Sequence, residues 1–218
     1  MATDRTIEQL RLRGLRLEWA TNGWNAMEVV VTISLGWQAG SLALIAFGLD
    51  SLVEIFASTV VIVNLRDDRH DPGDRRIHRA LRLIAGAFWT LASFLIVMSV
   101  RSLALGERPA ESPLGIAYLA ITAVVMFGLA RLKRTTASEL ASETLGAEAA
   151  MTFLDGCLST GILTALVLNV LFGWWWTDAT AALVVAGFAL SEGVQHWRVS
   201  APHPDEPPTS AAPEASDS

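Results

Sequence analysis

The feature that most constrains this chain is the grouping of its apolar residues into six runs separated by short charged stretches. Each run has about 20 residues, which as an α-helix crosses the roughly 30 Å hydrocarbon core of a bilayer. The composition agrees, with 52% hydrophobic and 17% charged residues and a mean hydropathy of +0.41. We therefore predict an all-α membrane protein, a bundle of six transmembrane helices.

The predicted spans cover most of the chain. They are Leu15–Trp37, Gly40–Leu65, Ala80–Val100, Leu114–Leu132, Ala147–Phe172 and Ala179–Trp197. Residues 1–14 form a segment before the bundle and residues 15–198 form the bundle itself. Residues 199–218 are rich in Pro, Ser, Ala and acids, a composition typical of a disordered tail. We expect the helices and their short loops to carry the function.

The basic residues predict the orientation of the bundle. Of the 16 Lys and Arg residues, only Arg101 and Arg108 lie near the connection between spans three and four. The remainder precede span one, flank the connection between spans two and three, or follow spans four and six. Since basic residues accumulate on the cytoplasmic side, we predict a multi-pass protein of the cell membrane with both termini in the cytoplasm.

Charge and cysteine content exclude other classes of function. The net charge of −6 includes acids inside the apolar runs, and no nucleic-acid surface follows from it. The single cysteine, Cys157, forbids an intrachain disulfide. The spans lack an internal histidine, and we find neither a nucleotide-binding loop nor an activated nucleophile around Cys157. We predict a protein that is not an enzyme and holds no cofactor.

Two acids lie deep in span two. Asp50 is about ten residues into the span, which places it about 15 Å deep, near the bilayer midplane. Glu54 follows one helical turn later on the same face. A carboxylate at this depth costs roughly 2.5–3.5 kcal/mol on insertion scales, and two adjacent ones repel unless a cation or proton lies between them. This pair predicts a metal site.

Span five repeats the pattern. Asp155 lies about two turns inside its cytoplasmic end, and Met151 and Glu148 precede it on the same face. Because spans two and five run in opposite directions, Asp50 and Asp155 reach similar depth if the helices pack together. A metal site of Asp50, Glu54, Met151 and Asp155 is then possible. The alternative is that these acids are protonated and hydrogen-bond to neighbouring helices.

Other polar residues have weaker interpretations. Span one carries Glu18, Asn22, Asn25 and Glu28, spaced by three or four residues. Asn25 and Glu28 could line an ion path or form interhelical hydrogen bonds that fix the bundle, and Glu18 could simply be solvated. Asp178 opens span six, where the helix dipole and capping favour an acid.

The connection between spans two and three is rich in charges. It contains His70, His78 and four aspartates among its arginines. Imidazole and carboxylate could form a peripheral cytoplasmic metal site, but alternating charges without tight ligand spacing are more often a solvated surface. The role of this loop stays open at the level of sequence.

The second and fifth spans resemble a known family. The segment Ala39–Ser58 is similar to the second-helix signature of the cation diffusion facilitators, in which Gly-Ser-Leu-Ala-Leu precedes two metal ligands four residues apart. Asp50 and Glu54 occupy those two places. The segment Ser142–Asp155 resembles the fifth-helix pattern, in which His and Asp are ligands, with Asp155 at the Asp place and Met151 at the His place.

The resemblance covers about residues 15–197 and implies a homodimer that exports divalent transition metals by alternating access in exchange for protons. Many members also carry a cytoplasmic metal-binding domain, so the chain resembles the truncated members with the transmembrane domain alone. Its expected partners are a divalent metal cation, protons, the bilayer and a second copy. The alternative is a non-transporting membrane protein that regulates or heterodimerises with a full-length transporter.

Overall fold

The computed structural model describes residues 2–66, 75–141 and 143–200, and this part of the chain is helical without strands. Its helices are α1 (Ala2–Ala39), α2 (Leu42–Arg66), α3 (Arg75–Leu105), α4 (Pro113–Leu140), α5 (Glu143–Phe172) and α6 (Trp176–Val199). The predicted all-α bundle of six helices is confirmed.

The helices extend beyond the predicted spans. In particular, α1 begins at Ala2, so most of the segment predicted to precede the bundle is helical. Four stretches among the described residues are long and apolar enough to cross a membrane: Leu81–Leu105, Pro113–Leu140, Glu148–Phe172 and Trp176–Arg198. The polar stripe of α1 lowers its hydropathy, and the side chains of residues 57–66 in α2 lie outside the description. Membrane crossing by these two helices stays a prediction.

The bundle is organised around three extensive helix pairs, α1 with α2, α3 with α6, and α4 with α5. Its buried apolar cluster comes mainly from α2, α3, α5 and α6, with Leu119 from α4. Helix α1 adds only the half-buried Leu35 at the edge of this cluster. The direct contact between α2 and α5 is sparse, in contrast to these three pairs.

Two glycines allow α1 and α2 to approach closely. A Cβ added at Gly36 would lie 2.8 Å from Cγ1 of Ile45, and one at Gly48 would lie 2.7 Å from Cγ1 of Ile33. The chain reverses between the helices at Gly40, whose φ of +65° favours glycine. Small residues at helix contacts let backbones pack closely in membranes. This packing brings the polar stripe of α1 against Asp50 and its neighbours.

Asp178 joins α6 to the beginning of α2. Its Oδ1 accepts a hydrogen bond from Ser41 Oγ at 2.5 Å, and its Oδ2 accepts from the backbone N–H of Leu42 at 2.8 Å. The N-cap of α6 is Trp175, which makes no side-chain capping bond. Asp178 therefore lies in the first turn of α6, as predicted, but the helix that it caps is α2.

Loss of this cap should destabilise the bundle. We expect Asp178→Ala to lower the free energy of unfolding by about 2 kcal/mol, because the N-terminal amides of α2 and Ser41 lose their acceptor. Thermal unfolding of the purified protein measures the effect. Glu107→Ala is the control, since the exposed pair of Glu107 with Arg101 contributes about 0.5 kcal/mol or less. Equal unfolding temperatures for both variants would contradict the capping role.

Candidate metal centre

Acids from three helices converge beside the close contact of α1 and α2. Glu28 of α1, Asp50 of α2 and Asp155 of α5 are 2%, 6% and 9% exposed. Glu54 of α2 is half-buried one turn after Asp50. We call these four residues the carboxylate cluster. The cluster thus combines polar residues from α1, α2 and α5.

Hydrogen bonds connect the carboxylate cluster across the helices. Ser51 Oγ donates to Glu28 Oε1 at 2.5 Å, which joins α2 to α1. Asn25 Nδ2 donates to Glu54 Oε2 at 3.4 Å, a second link between the same helices. The carboxyl groups of Glu54 and Asp155 lie close enough to interact, which brings α2 and α5 together at the cluster.

The electrostatics of the cluster favour a cation. Glu28, Asp50, Glu54 and Asp155 lie close enough to repel one another. Two buried oxygens in the same region, Glu28 Oε2 and Asn25 Oδ1, have no hydrogen-bond partner. Buried acceptors without donors are unfavourable, and a bound cation would satisfy them. The arrangement is thus suited to binding positive charge.

The structure brings together three of the four predicted ligands. Asp155 interacts electrostatically with Glu54 and with Asp50, while Met151 lies half-buried one turn before Asp155. In this conformation, no three His, Cys, Asp or Glu side chains in the described residues are close enough to enclose a metal ion. Metal binding by these residues would require the carboxylates to move together. The possible peripheral metal site between spans two and three lies outside the described residues, because the structure describes neither residues 67–74 nor the side chain of His78.

The structure places two further acids near the predicted ligands. Glu28, for which the sequence left an ion path and interhelical packing equally open, is a buried member of the carboxylate cluster. Glu192 of α6 is a further acid whose charge acts on Asp50 and Asp155. Its position inside an apolar span was a signal that could have identified it. Lys133 lies just after the predicted end of span four in the sequence, and the structure places it fully buried within α4.

Helix α4 packs tightly on α5 beside Asp155. A Cβ at Gly156 would lie 2.9 Å from the ring of Phe127, which also contacts Phe153 at 5.4 Å between ring centroids. We expect Gly156→Ala to destabilise the protein by about 1 kcal/mol, because the clash exceeds the gain in helix propensity. Phe127→Leu should relieve the clash, so the double variant should be more stable than the sum of the single effects. Additive unfolding temperatures would contradict this contact.

Six helices around a buried group of acids define a polytopic membrane protein with a polar centre suited to cations. The sequence profile of the cation efflux transmembrane domain matches residues 24–202 of the chain. The protein therefore belongs to the cation efflux family, and the resemblance found in its second and fifth spans is confirmed. This is a family of transporters, so the chain is a cation transporter in that general sense. No curated protein matches the chain in sequence.

Proposed function

We propose that the protein is a secondary transporter that exports divalent transition-metal cations, of the Zn, Fe, Mn and Co class, across the cell membrane. The observation that carries this proposal is the carboxylate cluster, with its mutual repulsion and its two unpartnered oxygens. A scaffold without transport has no physical reason to keep several acids at such depth. In this role the protein is a carrier without enzymatic activity or a bound cofactor.

The proposed metal ligands are Asp50, Glu54 and Asp155, with Met151 as a weak fourth donor. Carboxylate oxygens suit hard and borderline divalent cations, whereas a thioether prefers softer ions. Glu28 adds negative charge from α1 and holds α2 through its bond to Ser51. Because this ligand set contains no histidine, the site should favour manganese and ferrous iron relative to zinc.

Proton exchange is supported by the mutual repulsion of the acids in the carboxylate cluster. Protons and a bound cation compete for the same carboxylate oxygens, so protons must leave as the cation binds. Alternating access would then couple metal export to proton uptake. A second copy is the proposed partner, and the functional unit is a homodimer.

Liposome transport tests the proposal. Purified protein is reconstituted, and uptake of Zn, Mn, Fe, Co, Ni and Mg is measured together with an internal pH dye. We expect saturable uptake of at least one transition metal with an opposing proton flux, and little Mg uptake. Glu107→Gln, which changes an exposed acid, is the matched control. Metal binding without flux would overturn transport and favour the regulatory or heterodimerising role instead.

Orientation is tested separately. Both termini should lie in the cytoplasm, because basic residues cluster at the end of the bundle that includes the last turn of α6. A reporter that is active only in the cytoplasm, fused after Arg198, should be active, and the same reporter inserted next to Arg108 should be silent. The opposite pattern would reject the proposed topology.

A further inference from the structure

A fully buried lysine lies in the membrane-spanning part of α4. Lys133 has an exposed fraction of 0%, and its Nζ lies 3.0 Å from Glu18 Oε2 of α1 and 3.9 Å from Glu148 Oε2 of α5. One ammonium therefore joins three helices. We call Glu18, Lys133 and Glu148 the lysine latch.

The latch combines a buried cation with two partly exposed acids. Its two acids have side chains that are 30% and 49% exposed, whereas the ammonium between them is sealed. A buried ammonium without partners is strongly unfavourable, so the latch should stay closed as long as Lys133 remains buried. Glu18 still has one buried oxygen, Oε1, without a hydrogen-bond partner.

The latch is placed between the carboxylate cluster and one end of the bundle. On α5, Glu148 precedes Asp155 by two turns, or about 10 Å along the helix. On α1, Glu18 precedes Glu28 by about 15 Å in the same direction. The charge of Lys133 also acts on Asp155. The latch thus joins α1, α4 and α5 on the side where the proposed function places the cytoplasm.

Two further contacts between α1 and α4 lie closer to the carboxylate cluster. Trp24 Nε1 donates to Thr122 Oγ1 at 3.3 Å, and Trp24 stacks on Tyr118 with ring centroids 6.1 Å apart. Neither contact involves a full charge, whereas the latch joins the same two helices through an ion pair.

We propose that the lysine latch is the cytoplasmic gate of the metal pathway, a role that rests on the proposed function. When it opens, the Lys133 ammonium becomes exposed to water, and Glu18 and Glu148 become free anions that attract a divalent cation. That cation takes the place of the ammonium between them, so it binds the open state in preference to the closed state and shifts the equilibrium toward opening. After the cation has moved on toward the carboxylate cluster, the latch closes and Lys133 pairs again with Glu18 and Glu148.

A reversible crosslink tests the gate. Glu18→Cys and Lys133→Cys are combined in a Cys157→Ser background and joined with a cleavable bis-thiosulfonate reagent. We expect the crosslink to reduce metal uptake at least tenfold, and a reducing agent to restore it. Full uptake in the crosslinked protein would overturn the gate and leave a static contact. Absence of uptake in the unmodified parent protein would instead contradict the proposed function.

Thiol labelling provides a second test of the gate, which does not depend on transport. Met151→Cys in the Cys157→Ser background places a thiol between the latch and Asp155. Adding Lys133→Met should increase its labelling by a membrane-impermeant maleimide from the cytoplasmic side at least fivefold, whereas Lys133→Arg should restore slow labelling. The matched control is Glu107→Gln, which should leave labelling unchanged. Equal rates in the Lys133→Met and parent backgrounds would overturn the proposal even if the crosslinked variant fails to fold.

Discussion

Replacing Asp50 or Asp155 by Asn should abolish metal transport. Each change removes a proposed charged oxygen ligand and proposed proton carrier at once, and the amide keeps the volume of the side chain. Since loss of even an outer-shell partner typically weakens metal binding 10- to 100-fold, we expect a decrease in uptake of at least about 100-fold. Uptake by reconstituted liposomes, normalised to the amount of folded protein, measures the effect.

Two comparisons separate this result from general damage. Met151→Ala should retain most uptake, because a thioether contributes little to a site of oxygen donors. Asp155→Asn should also keep the thermal stability of the parent, since the amide has a similar volume and removes one of the mutually repelling charges. Substantial uptake by either Asn variant would show that the cation does not bind these carboxylates.

The second large effect is expected in metal selectivity. Met151→His introduces an imidazole one turn before Asp155, and imidazole is a strong zinc ligand whereas a thioether is not. We expect the ratio of zinc to manganese uptake to increase about tenfold, which corresponds to about 1.4 kcal/mol of differential binding. Competition between the two metals in the same liposomes measures this ratio.

Met151→Leu is the matched control, because it preserves an apolar side chain of similar volume and adds no ligand. It should leave the ratio unchanged. If the His variant folds and also shows the parental ratio, then position 151 does not face the ion. Met151 would in that case only fill the space between helices, and the ligand set would consist of carboxylates alone.

The sequence alone determined the class of the protein. Continuous apolar runs leave a helix as the only arrangement that satisfies every backbone hydrogen bond in lipid, so the helices were predictable without knowledge of their neighbours. The acids at positions 50, 54 and 155 could be selected as candidate functional residues from the sequence, because a charge inside an apolar run is unfavourable unless it has a function. The helical N-terminal segment was not predicted, since its polar residues carry no membrane signal.

Only the tertiary structure decided which side chains meet. Lys133 resembles an ordinary loop charge next to Arg131 and Arg134, and its partner Glu18 is 115 residues away in sequence. Asp178 resembles a cap of its own helix, yet it binds the beginning of α2, 136 residues earlier. Hydropathy indicates how deep a residue lies in the membrane, but it does not indicate how a helix is rotated or which helices pack against it. Rotation and helix neighbours depend on close packing, as at Gly36 and Gly156, and no local sequence pattern specifies that packing.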